Sequence, residues 1–98
     1  MMDVTRGARG EVVIRVEGTF DSTEAGRLAG WLREVPTQEQ LVVDFGGVRH
    51  VHDFGLAAIA EELAGRERVT VRGLSRHQEK LLRYFGVEVR APAPRAAG

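Results

Sequence analysis

The sequence predicts a single α/β domain built on a mixed, mostly parallel sheet of four to five strands with about three to four helices. Apolar and polar residues alternate in short segments typical of strands, and longer segments with apolar residues at helical spacing separate them. This order of elements requires crossovers over a parallel sheet. The 98 residues suffice for one hydrophobic core. We therefore expect one domain over residues 1–90 and a disordered tail at residues 91–98.

The first predicted elements form a hairpin. In Glu11–Glu17 every second residue is apolar and falls on one side of an extended chain, namely Val12, Ile14 and Val16. Met2–Thr5 is predicted as an edge strand that returns through the glycine-containing turn at residues 7–10, because glycine accepts the positive φ of hairpin turns.

The first helix is predicted from about Ser22 to Glu34. Its inward face follows the i, i+3, i+4, i+7 spacing of Ala25, Leu28, Ala29, Leu32 and Val35. Asp21 is placed to accept hydrogen bonds from the first free amides, and Glu24 completes a pattern similar to a capping box. Pro36 prevents the helix from continuing.

The central strand is predicted at Leu41–Phe45, a nearly continuous apolar run that indicates burial on both faces of a parallel sheet. The glycine pair at 46–47 bounds it, and a loop is predicted at Val48–Asp53. A second helix follows at about Phe54–Ala64, with Gly65 as the left-handed residue that stops it.

The last third predicts a strand at Val69–Arg72 and a third helix that opens with a capping box between Ser75 and Gln78. The inward face of this helix is predicted to be Gln78, Leu81, Leu82 and Phe85, with Tyr84 outward. Gly86 ends the helix, and Val87–Val89 is a candidate edge strand. The basic residues of this third alternate with acidic ones, which predicts a solvated face containing Arg66, Arg68, Arg72, Arg76, Lys80 and Arg83.

Composition narrows the class of function. Fourteen basic and fourteen acidic side chains give a formal net charge of zero, so there is no general attraction to nucleic acid or to an anionic membrane. The absence of cysteine excludes disulfides, thiolate nucleophiles and cysteine metal sites. Neither a secretory signal nor a membrane-spanning run is found, so we expect a cytoplasmic protein without membrane insertion. No glycine-rich phosphate loop is present, which disfavours a nucleotide enzyme.

The segment 41–63, LVVDFGGVRHVHDFGLAAIAEEL, joins an apolar strand ending in Asp44-Phe45 to a short loop and then to a helix. It resembles the STAS domain family, whose members show such a strand, a loop and a D-S-[ST]-G-L helix start. The segment 13–21, VIRVEGTFD, resembles the family's strand followed by a G-x-[LF]-D turn, and most of residues 10–90 follow its element order. The resemblance implies a STAS-like domain that binds another protein, related to the anti-sigma factor antagonists.

In those antagonists, a partner kinase phosphorylates the helix-start hydroxyl and thereby breaks its own complex with the antagonist. Gly55 and Leu56 fall on the motif's Gly and Leu, and Phe54 falls on the phosphorylatable hydroxyl. Asp53 falls on the preceding Ser and His52 on the motif's Asp. Phenylalanine has no hydroxyl, so we expect no phosphorylation at the usual position. The resemblance places the partner contact at all five of these residues.

Two interpretations of Asp53 and Phe54 remain open. In the first, the Asp53 carboxylate caps the helix, an effect of roughly 0.5–2 kcal/mol, and Phe54 packs onto the domain. In the second, Asp53 mimics a permanent negative charge near the switch position, and Phe54 is an exposed apolar anchor for a partner. Trp31 lies beside the apolar stripe of the first helix, so we expect it to be half-exposed, in rim packing or in contact with a partner.

Other polar residues carry weaker hypotheses. His50, His52 and Asp53 include zinc-ligand types, but no fourth ligand is evident, and we expect no metal and no cofactor. Asp44 with either histidine would need a nucleophile, and no Ser or Cys lies close in sequence, so we expect no enzyme. Alternative hydroxyls for a kinase are Ser22, Thr23, Thr37 and Ser75.

Two functional hypotheses follow from the resemblance. The first is an interaction module that binds a serine-kinase-type anti-sigma factor or a related regulatory protein. The second is an accessory subunit of an ABC lipid-transport complex, because similar stand-alone domains attach to the cytoplasmic ATPase of such systems. The sequence leaves the oligomeric state and the identity of the partner open.

Overall fold

The computed structural model describes residues 1–89 of the chain. The elements in chain order are β1 (Met2–Arg6), β2 (Val12–Phe20), α1 (Ser22–Glu34), β3 (Leu41–Val51), α2 (Asp53–Ala64), β4 (Val69–Arg72) and α3 (Arg76–Tyr84). The strands form one sheet in the order β1-β2-β3-β4. β1 is antiparallel to β2, whereas β2, β3 and β4 run parallel. The predicted α/β class and mixed, mostly parallel sheet are confirmed.

One face of the sheet carries the hydrophobic core. Val12, Leu41 and Val69 lie side by side on neighbouring strands and are all buried. Ile14, Val43 and Val71 form the next row on this face and are buried as well. These side chains pack against apolar residues of the three helices, chiefly Ala25, Leu28, Leu32, Leu56, Ile59, Leu63 and Leu82. Within residues 1–89 no polar or charged residue is fully buried, so the interface between the sheet and the helices is formed by apolar packing.

The first helix begins and ends as the sequence predicts. The Glu24 N–H donates to Asp21 Oδ1 at 3.0 Å, which satisfies one of the free amides of the first turn. The Glu24 carboxylate forms an ion pair with the amino group of Met1 rather than returning to Asp21. At the other end, extended Val35 is the C-cap, directly before Pro36.

The side chain of Arg66 closes the end of α1. Its Nη2 donates to the carbonyls of Leu32 and of Val35, the latter at 2.7 Å, and Nη1 donates to the Pro36 carbonyl at 3.2 Å. The end of a helix leaves such carbonyls without intrahelical partners. Burial lowers the pKa of the Arg66 guanidinium, and the charge of Glu62 raises it to a lesser degree. The prediction of a solvated Arg66 is therefore wrong, because this side chain links the ends of two helices.

The third strand is longer than predicted. The sequence predicts an end at Phe45 and a loop over Val48–Asp53, but β3 continues to Val51 beside β2, which itself continues to Phe20. The glycine pair at 46–47, which resembles a turn in the sequence, lies next to an irregularity in the ladder and not in a loop. The connection from β3 to α2 is thereby reduced to one residue.

Three predictions near the ends of helices are wrong. Gly65 has φ of −85° and is not left-handed. Phe85, predicted inward, is 43% exposed because it follows the last turn of α3, whereas Leu82 is fully buried. Val87–Val89 forms no strand, since its apolar side chains pack on the core without joining a ladder. The predicted tail at residues 91–98 lies outside the described residues.

Candidate functional site

The carboxyl ends of β2 and β3 lead directly into the two helices that flank the candidate site. The His52 N–H donates to the Phe20 carbonyl at 2.9 Å, which ties the end of β3 to the end of β2. His52 is the N-cap of α2, and its carbonyl accepts from the N–H groups of Gly55 at 2.8 Å and Leu56 at 3.3 Å. The strand therefore turns into the helix within one residue, and the first turn of α2 is fixed to the sheet.

Phe54 projects from this first turn into solvent. Its side chain is 82% exposed, and its neighbours His52 and Asp53 are exposed as well. The interpretation in which Phe54 packs onto the domain is wrong. We call these three residues the Phe54 surface. Two other residues of the predicted contact, Gly55 and Leu56, are buried, so they support the surface from below and present no side chain to a partner.

Gly55 permits the close approach of α2 to the corner between β2 and α1. A Cβ atom at this position would lie 3.0 Å from two carbon atoms of the Phe20 ring and 3.3 Å from the Asp21 carbonyl oxygen. Phe20 in turn packs edge-on against Phe45, with ring centroids 5.0 Å apart. The exposed ring of Phe54 is thus carried on a turn that packs on the buried pair of Phe20 and Phe45.

Asp53 does not cap the helix through its side chain. The cap position belongs to His52, and no side-chain hydrogen bond is made there. Asp53 instead lies in the first turn, where a negative charge interacts favourably with the helix dipole. Its carboxylate is exposed beside Phe54, so the surface combines an apolar ring with an acidic group.

The last part of β3 brings further polar residues to the same end of the sheet. Its register against β2 shifts between Arg15 and Glu17 and again between Gly18 and Thr19, which indicates bulges in β3. Bulges bend a strand and redirect its side chains, and they are frequent next to functional sites. Arg49 and His50 are exposed on this irregular part of the strand.

The described residues contain no group of three His, Asp or Glu side chains close enough to hold a metal ion.

Asp44 forms no acid and base pair with a histidine. Its Oδ2 lies 3.2 Å from Arg72 Nε and 3.9 Å from Arg15 Nε, and its Oδ1 accepts from the Gly46 N–H at 2.8 Å. Asp44 thus links β3 to Arg15 of β2 and to Arg72 of β4. Its position near the end of an apolar run gave no sign of this structural role.

The alternative hydroxyl groups lie at helix starts and in a loop. Ser22 and Thr23 are exposed in the first turn of α1, at the same end of the sheet as Phe54 because β2 and β3 are parallel. Ser75 caps α3, accepting from the Gln78 N–H at 3.2 Å within a complete capping box. Thr37 is exposed after α1. Whether a kinase uses any of them stays a hypothesis.

The fold and this site define a small α/β domain that displays an aromatic side chain at a strand-to-helix junction. The family model described as "Mlab, STAS domain" matches residues 4–89. The chain therefore belongs to the STAS domain family, as the segments 13–21 and 41–63 predicted. No curated protein matches the sequence.

Solved structures support the same fold. The anti-sigma factor antagonist SpoIIAA in its unphosphorylated form superposes with a TM-score of 0.69 at 15% sequence identity, over 95% of this chain and 90% of that chain. The crystal structure of Mglu matches with a TM-score of 0.56 at 20% identity, over 96% of this chain, which spans 20% of that longer protein. Along residues 1–89, every helix is too short or too polar to cross a bilayer.

Proposed function

We propose that the chain is a non-enzymatic binding module that engages a regulatory protein through the Phe54 surface, and that the partner is an anti-sigma factor of the serine-kinase type or a related regulator. The observation that carries the proposal is the 82% exposure of Phe54 on a fixed helix start. A large apolar ring in water is unfavourable unless another surface covers it. Aromatic residues of this kind are frequent among interface hot spots.

The fixed geometry of the turn supports the same conclusion. The backbone N–H of His52 is hydrogen-bonded to the Phe20 carbonyl, and Gly55 packs on the Phe20 ring. The backbone that carries Phe54 is therefore ordered before any partner binds. A preorganised anchor loses little conformational entropy on binding. The exposed side chains of Asp53, beside Phe54, and of Arg49, on the last part of β3, are available for the polar contacts that surround such an interface.

The residue at position 54 also determines how the complex is regulated. In the anti-sigma factor antagonists that this chain resembles, phosphorylation of a hydroxyl at the helix start releases the partner. Phenylalanine offers no oxygen to a kinase, so phosphate cannot weaken the complex at this position. We therefore expect the association to be constitutive, with control residing in the amount of each protein or in a different hydroxyl such as Ser22, Thr23 or Ser75.

A second candidate is attachment to the ATPase of an ABC lipid-transport complex. The observation in its favour is the same side chain, because a permanent subunit needs an apolar contact and has no need of a group that releases it. The two candidates differ in the partner. A serine-kinase-like protein bound to the purified chain supports the first, and a transporter ATPase supports the second.

The test uses two aromatic side chains of nearly equal exposure. Phe54 is 82% exposed and Tyr84, at the end of α3, is 85% exposed. We expect Phe54→Ala to reduce the affinity for the purified partner by about thirtyfold, since truncation of a hot-spot residue costs about 2 kcal/mol or more. Tyr84→Ala is expected to bind as the wild type does. Equal binding by Phe54→Ala and the wild type would refute the anchor role.

A second variant tests the regulatory part. Phe54→Ser restores a hydroxyl at the helix start. With a serine-kinase-type partner and ATP, we expect phosphate at residue 54 of this variant by mass spectrometry and none at residue 54 of the wild type. Failure of the variant to be phosphorylated by a partner that binds it would contradict the assignment of position 54 to the switch.

A further inference from the structure

The edge strand β1 has hydrogen-bonding groups that β2 does not use. In an antiparallel pair, residues alternate between those that bond to the neighbouring strand and those that point away from it. The Gly7 N–H donates to the Glu11 carbonyl at 2.8 Å, and the register pairs Thr5 with Val13. The odd-numbered residues of β1 therefore form the backbone hydrogen bonds to β2. The N–H and C=O groups that point outward are those of Met2, Val4 and Arg6.

This pattern is self-complementary. If β1 of a second copy pairs antiparallel about a two-fold axis at Val4, the two Val4 residues face each other, and Met2 of each copy faces Arg6 of the other. All outward backbone groups of β1 then find partners. On the other face of the sheet, Asp3 comes opposite Thr5, so no two like charges meet.

Apolar side chains beside β1 are exposed in the single chain. Trp31 of α1 is 46% exposed and Val4 is 37% exposed. Grooves of about 440 Å³ and 450 Å³ lie on the two sides of Trp31, the first bounded by Met2 and the second by Val4 and Val35. Because Val4 lies on the helix side of the sheet at the level of Trp31, a two-fold axis at Val4 brings the two indole rings together over the new sheet.

Two charged residues of α1 are also complementary about this two-fold axis. Arg27 lies one turn before Trp31 and Glu34 lies nearly one turn after it, and both line the first groove. The two-fold axis reverses the direction of the second helix, so Arg27 of each copy comes opposite Glu34 of the other. In the single chain the Arg27 side chain is 68% exposed, with an ion pair of 3.6 Å to Glu24 in its own helix.

We propose that two copies of this chain associate through β1, with a sheet that is continuous across both copies and with Trp31 at the centre of the contact. A second copy of the chain thus occupies the two grooves beside Trp31. β1 and β3 are separated by β2 in the sheet. The dimer and the Phe54 surface are therefore independent of each other.

Sedimentation equilibrium of the full chain tests the proposal. We expect the mass to rise from 10.8 kDa toward twice that value with concentration. Trp31 is the sole tryptophan, so its fluorescence emission is expected to shift to shorter wavelength over the same concentration range. Val4→Pro removes an outward N–H without touching the β1 to β2 ladder, and proline is tolerated at such edge positions. This variant is expected to stay monomeric with an unchanged circular dichroism spectrum.

A charge exchange tests the orientation of the two copies. Arg27→Glu and Glu34→Arg each place like charges opposite one another, and we expect each to weaken the dimer by about tenfold. The double variant exchanges the two charges and is expected to recover the wild-type dissociation constant. A wild type that stays monomeric, a Val4→Pro variant that still dimerises, or a double variant as weak as the single ones would overturn the proposal.

Discussion

Gly55 and Phe20 are in such close contact that a single additional carbon on the glycine would lie 3.0 Å from the phenylalanine ring. This contact joins the first turn of α2 to the end of β2, and it fixes the height at which the Phe54 surface stands above the sheet. The contact lies in the interior of the domain, since Phe20 and Leu56, the residue after Gly55, are both fully buried. The candidate site therefore depends on a packing contact that lies beneath it.

Gly55→Ala is expected to destabilise the domain by about 1–3 kcal/mol, because the new methyl group would lie closer to the Phe20 ring than ordinary van der Waals contact and would overpack the site. Gly26→Ala in α1 is the matched control, since nothing lies within 4 Å of a Cβ atom there. That change is expected to stabilise the protein by up to about 1 kcal/mol through helix propensity. Urea denaturation of both variants checks the contrast. Equal effects would mean that the Phe20 ring moves aside without cost.

Phe54→Ala is expected to change the free energy of unfolding by less than about 0.5 kcal/mol, as is usual for a surface substitution. Leu56→Ala, two residues along and fully buried, is expected to cost about 2–5 kcal/mol. Thermal or chemical denaturation distinguishes the two. A large loss of stability in Phe54→Ala would show that the ring contributes to the core, and any loss of binding in that variant would then have a structural cause.

Arg66→Met is expected to lower the free energy of unfolding by about 1–3 kcal/mol, because it removes the donors to the three carbonyls at the end of α1. Arg66→Lys is expected to recover only part of this loss, since an ammonium group lacks the planar fork of guanidinium. Denaturant titration of both variants measures the difference. Full recovery by lysine would show that the charge alone matters at this position.

Asp21→Ala is expected to cost about 0.5–2 kcal/mol through loss of a helix cap, and Asp21→Asn far less because the amide oxygen still accepts from Glu24. Asp53→Ala is expected to cost about 0.3–1 kcal/mol through the dipole interaction alone, and this cost should decline as salt is added. The salt dependence separates the two roles. An Asp53→Ala effect that salt leaves unchanged would indicate an uncharged contact instead.

Much of the fold was predictable from local patterns. The alternation around Ile14 placed β2, and the apolar spacing around Leu28 placed α1, because each pattern reports one face of one element. The extension of β3 to Val51 was not predictable in this way. Its second half pairs with β2 through glycine-containing bulges, and the glycine pair at 46–47 reads as a turn until the neighbouring strand is known.

The candidate site was located from the family resemblance, but its geometry needed the structure. The exposure of Phe54 had a signal in the sequence, since it lies two residues from inward Leu56 and residues so spaced do not share a helix face. The role of Arg66 had no such signal. Its partners lie at the end of α1 and just after it, about thirty residues earlier, and only the packing of α1 against α2 brings them together.

Residues 54 and 55, adjacent at the start of α2, differ in how strongly the rest of the domain constrains them. Residue 55 is confined by the scaffold, so a change there disturbs folding, whereas residue 54 makes little contact with the scaffold and can vary with the partner that we propose for it. If position 54 is the contact that we propose, one substitution there replaces a side chain that a kinase can modify with one that it cannot. Recognition can then evolve while the architecture stays still.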